Sequence, residues 1–171
     1  MASPREVIYT ALRKYDPNMK LRDKQEECLT YIVENSDHGC NLIVSLPTGY
    51  GKSLIYCLLP QVLKDHQRKD NGCVLVVCPL NLIQYDQMRN LAAHGIASCR
   101  LSQDCKATTL VNNVENEVTL TDVMAAKFDL IFCHPEALFN TTDGETLLYS
   151  QPFQEKLLAV VVDECHTVEA W

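Results

Sequence analysis

Short apolar runs separated by helix-length stretches constrain this chain more than any other feature. They stand at 42–46, 73–78, 128–133 and 158–162, the last two reading Phe128-Asp129-Leu130-Ile131-Phe132-Cys133 and Leu158-Ala159-Val160-Val161-Val162. A strand that is apolar at successive positions must be buried on both faces, which is the situation of a parallel strand under helices. The stretches between them have helical periodicity: 53–59, limited by Pro60; 82–93, ended by Gly95; and 146–156. The pattern predicts an α/β fold of three layers, a mostly parallel sheet covered by helices on both faces. Ahead of it, Ser3-Pro4 caps a first helix with Val7, Ile8, Ala11, Leu12 and Tyr15 on one face. Asp16-Pro17-Asn18 breaks that helix. A second spans 22–35, with Cys28, Leu29, Ile32 and Val33 at helical spacing, and His38-Gly39 closes it. The segment 102–126 reads as one or two short helices, around 104–114 and 121–126.

With 171 residues, 47% of them hydrophobic, the chain suffices for one domain with a sizeable core, 1–171. It has neither an apolar run long enough to cross a membrane nor the apolar segment of a signal peptide, so the expectation is an intracellular protein, nuclear in a eukaryote. The nine cysteines are scattered and odd in number, and several sit inside the strand-like runs, which marks them as small core residues. There is no Cys-x-x-Cys pair and no histidine at metal-ligand spacing from a cysteine, so no structural zinc is expected. The sequon Asn140-Thr141-Thr142 carries no weight without a secretory route. A net charge of −7 argues against a freestanding nucleic-acid binder, whose affinity rests on clustered Lys and Arg. An acidic domain can still contribute a local contact surface when it grips a strand together with a partner domain.

Between the first apolar run and its helix lies Pro47-Thr48-Gly49-Tyr50-Gly51-Lys52-Ser53. A glycine-bearing loop that ends in Gly-Lys-Ser at a helix N-terminus folds its backbone N–H groups around a polyphosphate. Lys52 then reaches the β/γ-phosphates and the Ser53 hydroxyl sits on Mg²⁺. The strict pattern has Gly where this chain has Leu46. The run that ends in Val161-Val162 delivers Asp163 and Glu164 at the carboxyl end of a strand. After a phosphate loop, a first carboxylate serves to hold Mg²⁺ and a second to orient the attacking water. ATP and Mg²⁺ are the ligands this pair of motifs predicts.

Taken together the motifs resemble the first RecA-like domain of a superfamily 2 DExH helicase of the RecQ type, a P-loop NTPase fold, over nearly the whole chain. Leu21-Arg22-Asp23-Lys24-Gln25 resembles motif 0, carried by N-terminal helices over 1–36. Leu46 to Ser53 resembles motif I, where a non-glycine first position is usual. Val77-Cys78-Pro79-Leu80 with Asp86-Gln87 resembles motif Ia, His134-Pro135-Glu136-Ala137-Leu138 motif Ib, and Asp163-Glu164-Cys165-His166 motif II. The resemblance implies an ATP-dependent DNA helicase of 3′–5′ polarity. It puts Arg22 and Gln25 at the adenine, and Lys52, Asp163, Glu164 and His166 at the reaction, with His166 linking nucleotide and DNA. Pro79, Leu80, Pro135, Glu136 and Trp171 would lie along single-stranded or partly duplex DNA.

The chain departs from the family at several places. Asn18 stands where an adenine-stacking aromatic is usual, with Tyr15 the substitute if the loop shifts. Cys78, His134 and Cys165 replace smaller or hydroxylic residues, and Thr167-Val168-Glu169-Ala170 lacks a glutamine. The sequence stops at Trp171, before the motif III, second RecA-like domain and arginine finger that the family implies. The expectation is a segment that binds ATP·Mg²⁺ and hydrolyses it poorly, since such an arginine is worth about 10³–10⁵ in rate. Two other functions fit the loop. A nucleotide-switched binding or signalling protein would lack an arginine finger in the rest of its reading frame. A small-molecule kinase would transfer phosphate to a small acceptor, and the segments resembling motifs 0 and II disfavour it.

Overall fold

The computed structural model describes residues 3–102 and 106–165. The chain forms two compact units, Met1–Asp70 and Asn71–Trp171.

The first unit is helical. In α1 (Pro4–Tyr15) the Ser3 hydroxyl accepts from the Glu6 N–H at 3.2 Å, and proline occupies the first helical position, where no N–H is needed. The expected face of Val7, Ile8, Ala11, Leu12 and Tyr15 is buried. The helix α2 (Asp23–Asn35) continues into a 3₁₀ turn, Ser36–His38, and stops at Gly39, whose φ of 69° is the left-handed conformation that favours glycine. Tyr9 donates to Glu26 at 2.7 Å and ties the two helices. The third, α3 (Lys52–Gln67), runs through Pro60 instead of stopping there. The missing N–H costs one helical bond, but Ile55, Leu58, Leu59, Val62 and Leu63 on either side of it are all buried, and that packing carries the helix on.

The expected strand at 42–46 does not form. Its backbone has no regular structure, and Ile43 is 90% exposed. A strand needs a neighbour to take up its N–H and C=O groups, and the described residues of this unit contain no other strand.

The second unit holds a six-stranded sheet. Its elements are β1 (Cys73–Val77), α4 (Asn81–Ala93), β2 (Ser98–Leu101), β3 (Ala107–Val111), β4 (Val114–Val118), α5 (Leu120–Met124), β5 (Leu130–Cys133), α6 (Pro135–Phe139), α7 (Thr142–Tyr149), α8 (Gln151–Lys156) and β6 (Leu157–Val162). The order is β4-β3-β2-β5-β1-β6, parallel from β2 to β6 and antiparallel in the β3–β4 extension. Cys73, Leu75, Val77, Cys99, Leu101, Ile131 and Cys133 point to one face and pack with Val123, Ala137, Leu138, Leu147 and Phe153 from α5 to α8. By strand alternation Arg100 faces the other way, and there its guanidinium lies 4.5 Å over the ring of Tyr85 on α4. Helices therefore lie on both faces, as the apolar runs predict, and β1 and β5 are buried throughout, but β6 is not: its Val160 and Val162 are 55% and 45% exposed.

Two segments differ from expectation. Of the stretch 104–114, expected to be helical, Asp104 and Cys105 lie outside the described residues and 106–114 is mainly hairpin. Asn112 and Asn113 take φ of 51° and 62°, the left-handed pair of a two-residue type I′ turn. The hairpin is fastened to α4, because Glu115 accepts from Tyr85 Oη and, at 2.6 Å, from Thr108 Oγ1. The single helix expected over 146–156 is two, broken at Ser150, which leaves helical geometry (ψ 107°) as the N-cap of α8, with Pro152 in that helix's first turn.

Candidate functional site

The glycine loop enters α3 in the first unit. Gly49 and Gly51 have φ of 77° and 88°, left-handed values that favour glycine, and no atom lies within 4 Å of where a Gly49 Cβ would sit. Tyr50 N–H donates to the Pro47 carbonyl at 3.1 Å and Leu54 N–H to that of Gly51 at 3.2 Å. Among the described residues, the N–H groups of Gly51, Lys52 and Ser53 have no acceptor. They open a helix of 16 residues, so unsatisfied donors and helix dipole coincide there. Lys52 Nζ spans the loop and donates to the Leu46 carbonyl at 3.2 Å. Donors without acceptors beside a lysine suit a polyphosphate.

The residues expected to read a base sit against this loop. Gln25 is 3% exposed, and its Nε2 donates to the carbonyls of Tyr50 at 3.2 Å and Gly51 at 2.9 Å. Arg22 Nη1 donates to the Gly49 carbonyl at 3.2 Å, and its guanidinium lies 5.0 Å over the Tyr50 ring. Asn18 is exposed, and Tyr15 is buried in the face of α1, which removes it as a stacking surface.

In the second unit the carboxyl ends of the parallel strands bring three motifs to one edge, where α/β sheets hold their ligands. The backbone ladder continues past the strands: Asp163 N–H donates to Val77 O at 2.9 Å, Cys78 N–H to Cys133 O at 3.0 Å, and His134 N–H to Leu101 O at 3.4 Å. Asp163, Cys78 and His134 thus leave adjacent strands side by side. Asp163 Oδ1 accepts from the N–H of Glu164 at 3.0 Å, and Glu164 has a left-handed φ of 53°. This turn re-aims the second carboxylate directly after the first. The Cys78 thiol is pushed up, first by burial and further by the nearby Asp163 and Glu164 charges, against a lowering bond to the Leu80 carbonyl.

Leu80 is 50% exposed beside Pro79, and Glu136 is exposed. Pro135 is buried at the first turn of α6, so it shapes that turn and Glu136 presents it. His134 Nδ1 accepts from the Glu136 N–H at 3.3 Å and caps α6. Gln84 had no expected role, yet it is fully buried and its Nε2 donates to the Cys78 carbonyl at 2.6 Å. It anchors the turn carrying Pro79 and Leu80. In the sequence nothing separates it from a solvent-facing glutamine on α4. His166 and Trp171 lie outside the described residues.

A protein-family profile described as DEAD/DEAH box helicase matches residues 22–171. The chain is 32% identical over 145 residues to the probable ATP-dependent DNA helicase RecS of Bacillus subtilis, covering 82% of this chain and 24% of that protein. It is 30% identical over 171 residues to the ATP-dependent helicase wrn-1 of Caenorhabditis elegans, covering 100% of this chain and 14% of the relative. With the ATP-dependent helicase SGS1 of Saccharomyces cerevisiae it shares 29% identity over 150 residues, 88% of this chain and 10% of that one. The chain thus spans between a tenth and about a quarter of these relatives' lengths.

Proposed function

The chain belongs to the DEAD/DEAH box helicase family, and from that premise we propose that it is the ATP-binding half of a RecQ-type ATP-dependent DNA helicase of 3′–5′ polarity, forming one RecA-like domain over 1–171. The observation that carries the reading is the loop of left-handed Gly49 and Gly51 opening α3, with the Gly51, Lys52 and Ser53 N–H groups free and Lys52 beside them. Residues 47–53 hold the triphosphate, and Lys52 exchanges the Leu46 carbonyl for the β/γ-phosphates. Ser53 and Asp163 are the residues to hold Mg²⁺, which when bound neutralises charge on the phosphate oxygens. Glu164 orients the attacking water, and His166 passes the state of the site to the strand. Pro79, Leu80, Glu136 and Trp171 follow the DNA backbone, with Pro135 setting the turn. A second RecA-like domain supplies the arginine that completes the reaction, so this chain alone binds ATP·Mg²⁺ and turns it over poorly.

Binding and turnover test the reading separately. The chain is expected to bind Mg·ATP, and Lys52→Ala to weaken that binding by an order of magnitude or more. The full-length protein is expected to show ATPase activity stimulated by single-stranded DNA and abolished by Lys52→Ala. ATPase indifferent to DNA would favour a nucleotide-switched binding protein, the reading to which the net charge of −7 lends support.

A further inference from the structure

Apart from the nucleotide motifs, the second unit holds a cavity of about 350 Å³ lined by side chains from α4 and from the strands β2, β3 and β4. Arg100 is one of them. Its side chain is only 12% exposed, its guanidinium lies over the Tyr85 ring, and its Nε and Nη1 are buried with no acceptor among the described residues. One carboxylate stands close, with Glu115 Oε1 3.9 Å from Nε, beyond hydrogen-bond reach. That carboxylate is already committed, one oxygen to Thr108 Oγ1 at 2.6 Å and the other to Tyr85 Oη.

A guanidinium taken out of water is costly unless its charge is answered, and hydrogen bonds between opposite charges answer it best. At the mouth of the cavity Lys106 Nζ and Glu117 Oε1 are 3.8 Å apart, and both side chains are well exposed. Arg89, one turn along α4, is close enough to act on the Tyr85 hydroxyl. Among the groups that line the cavity or act on Tyr85, three cations therefore stand against two carboxylates, and the least compensated cation is the least exposed. The hydroxyls are spent as donors. Ser102 gives its hydrogen to the Lys106 carbonyl at 3.0 Å, while Thr108 and Tyr85 give theirs to Glu115, which leaves Arg100 as the buried donor.

We propose that this cavity binds a small oxyanion, a phosphate or a carboxylate, free or as the head of a small molecule, with Arg100 as its main partner and Lys106 at the entrance. The guanidinium charge is delocalised over a plane, so an oxyanion on the edge that lines the cavity offsets what the buried nitrogens leave unanswered. A water can accept from the same edge but brings no charge. The Tyr85 ring and Glu115 already hold the guanidinium, which spares a ligand the cost of ordering a long side chain. The volume leaves room for a small molecule behind the oxyanion. None of these residues takes part in the proposed nucleotide reaction, so the two sites stand or fall separately.

The test is an NMR titration of the isotope-labelled full chain with sodium phosphate and, separately, with sodium acetate, at constant pH and at constant ionic strength made up with sodium chloride. The Arg100 Nε–H resonance and the backbone amides of 106–118 are expected to shift and saturate in the millimolar range with at least one anion, and the anion that saturates identifies the head group. Arg100→Lys keeps the charge but loses the planar fork, and should weaken that binding about tenfold. Lys106→Met, at an exposed position, should also weaken it and serves should the Arg100 variant fail to fold. Resonances of 47–53 report separately on phosphate at the glycine loop, so a response confined to them counts against the cavity and not against the proposed function. Shifts at Arg100 that stay linear with both anions, or a saturating response equally strong in the folded variants, would overturn the proposal and leave the cavity to water.

Discussion

Asp122 shows how a single side chain ties stability to pH. Lys127 Nζ lies 2.6 Å from its Oδ1, and the Thr119 hydroxyl and N–H both donate to its Oδ2. The lysine first and the threonine second pull its carboxyl from 3.8 to about 2. A folded value below the unfolded one means that the stabilisation is fully present above the ordinary aspartate range and is lost as pH falls toward about 2. An NMR titration should place Asp122 near that value in the wild type and nearer the ordinary range in Lys127→Met. The thiols move the other way, because burial disfavours the thiolate. Cys133 is pushed up to about 12, and Cys99 rises for the same reason. Cys57, Cys73, Cys78, Cys99 and Cys133 should therefore resist alkylation in the native chain, while exposed Cys165 reacts. Their setting inside apolar runs identified Cys73, Cys78 and Cys133 as core residues; the same expectation fails for Cys165, which is exposed, and for Cys28 and Cys40, which are only partly buried. Of the partners of Asp122, Thr119 three residues earlier completes a Thr-x-x-Asp capping box that is legible in the sequence and went unread, whereas Lys127 five residues on belongs to no such pattern.

Elements meet at two places where local chemistry decides the packing. The hairpin turn requires left-handed φ at both Asn112 and Asn113, so Asn113→Gly should stabilise the fold and Asn113→Val should destabilise it by about 1–2 kcal/mol, measured by chemical denaturation. The signal, two asparagines between Leu110-Val111 and Val114, was present in the sequence. It went unread because the run after Asn113 mixes valine with charged residues and is exposed along nearly all of β4, so no continuous apolar run or buried face marks it as a strand. Between α6 and α7, a Cβ on Gly144 would lie 2.3 Å from the carbonyl oxygens of both Ala137 and Leu138. Backbone atoms cannot yield as a side chain tip does, so Gly144→Ala should cost about 1–3 kcal/mol. A glycine inside a short helix gives no warning of this in sequence, since the clash depends on how two helices cross.

At the scale of the whole molecule, each ligand-site motif leaves the end of a strand or the start of a helix, and binding should register as stability. Mg·ATP at 100 times its dissociation constant is expected to add about 2.7 kcal/mol to the wild type, read as a higher melting temperature, with the gain largely lost in Lys52→Ala. The sequence by itself determined the strand–helix alternation, the strands β1, β5 and β6, and the positions of the phosphate loop and the Asp163-Glu164 pair, because each is written in contiguous residues whose spacing is set by strand and helix geometry. Only the tertiary structure decided that 42–46 stays irregular, that α3 runs through Pro60, that the sheet gains an antiparallel hairpin, and that Arg22 and Gln25 grip the loop. Each of those outcomes turns on what lies opposite in space: a strand needs a neighbour, a proline needs surrounding burial to hold its helix, and an amide bonds whichever carbonyl the fold brings within reach.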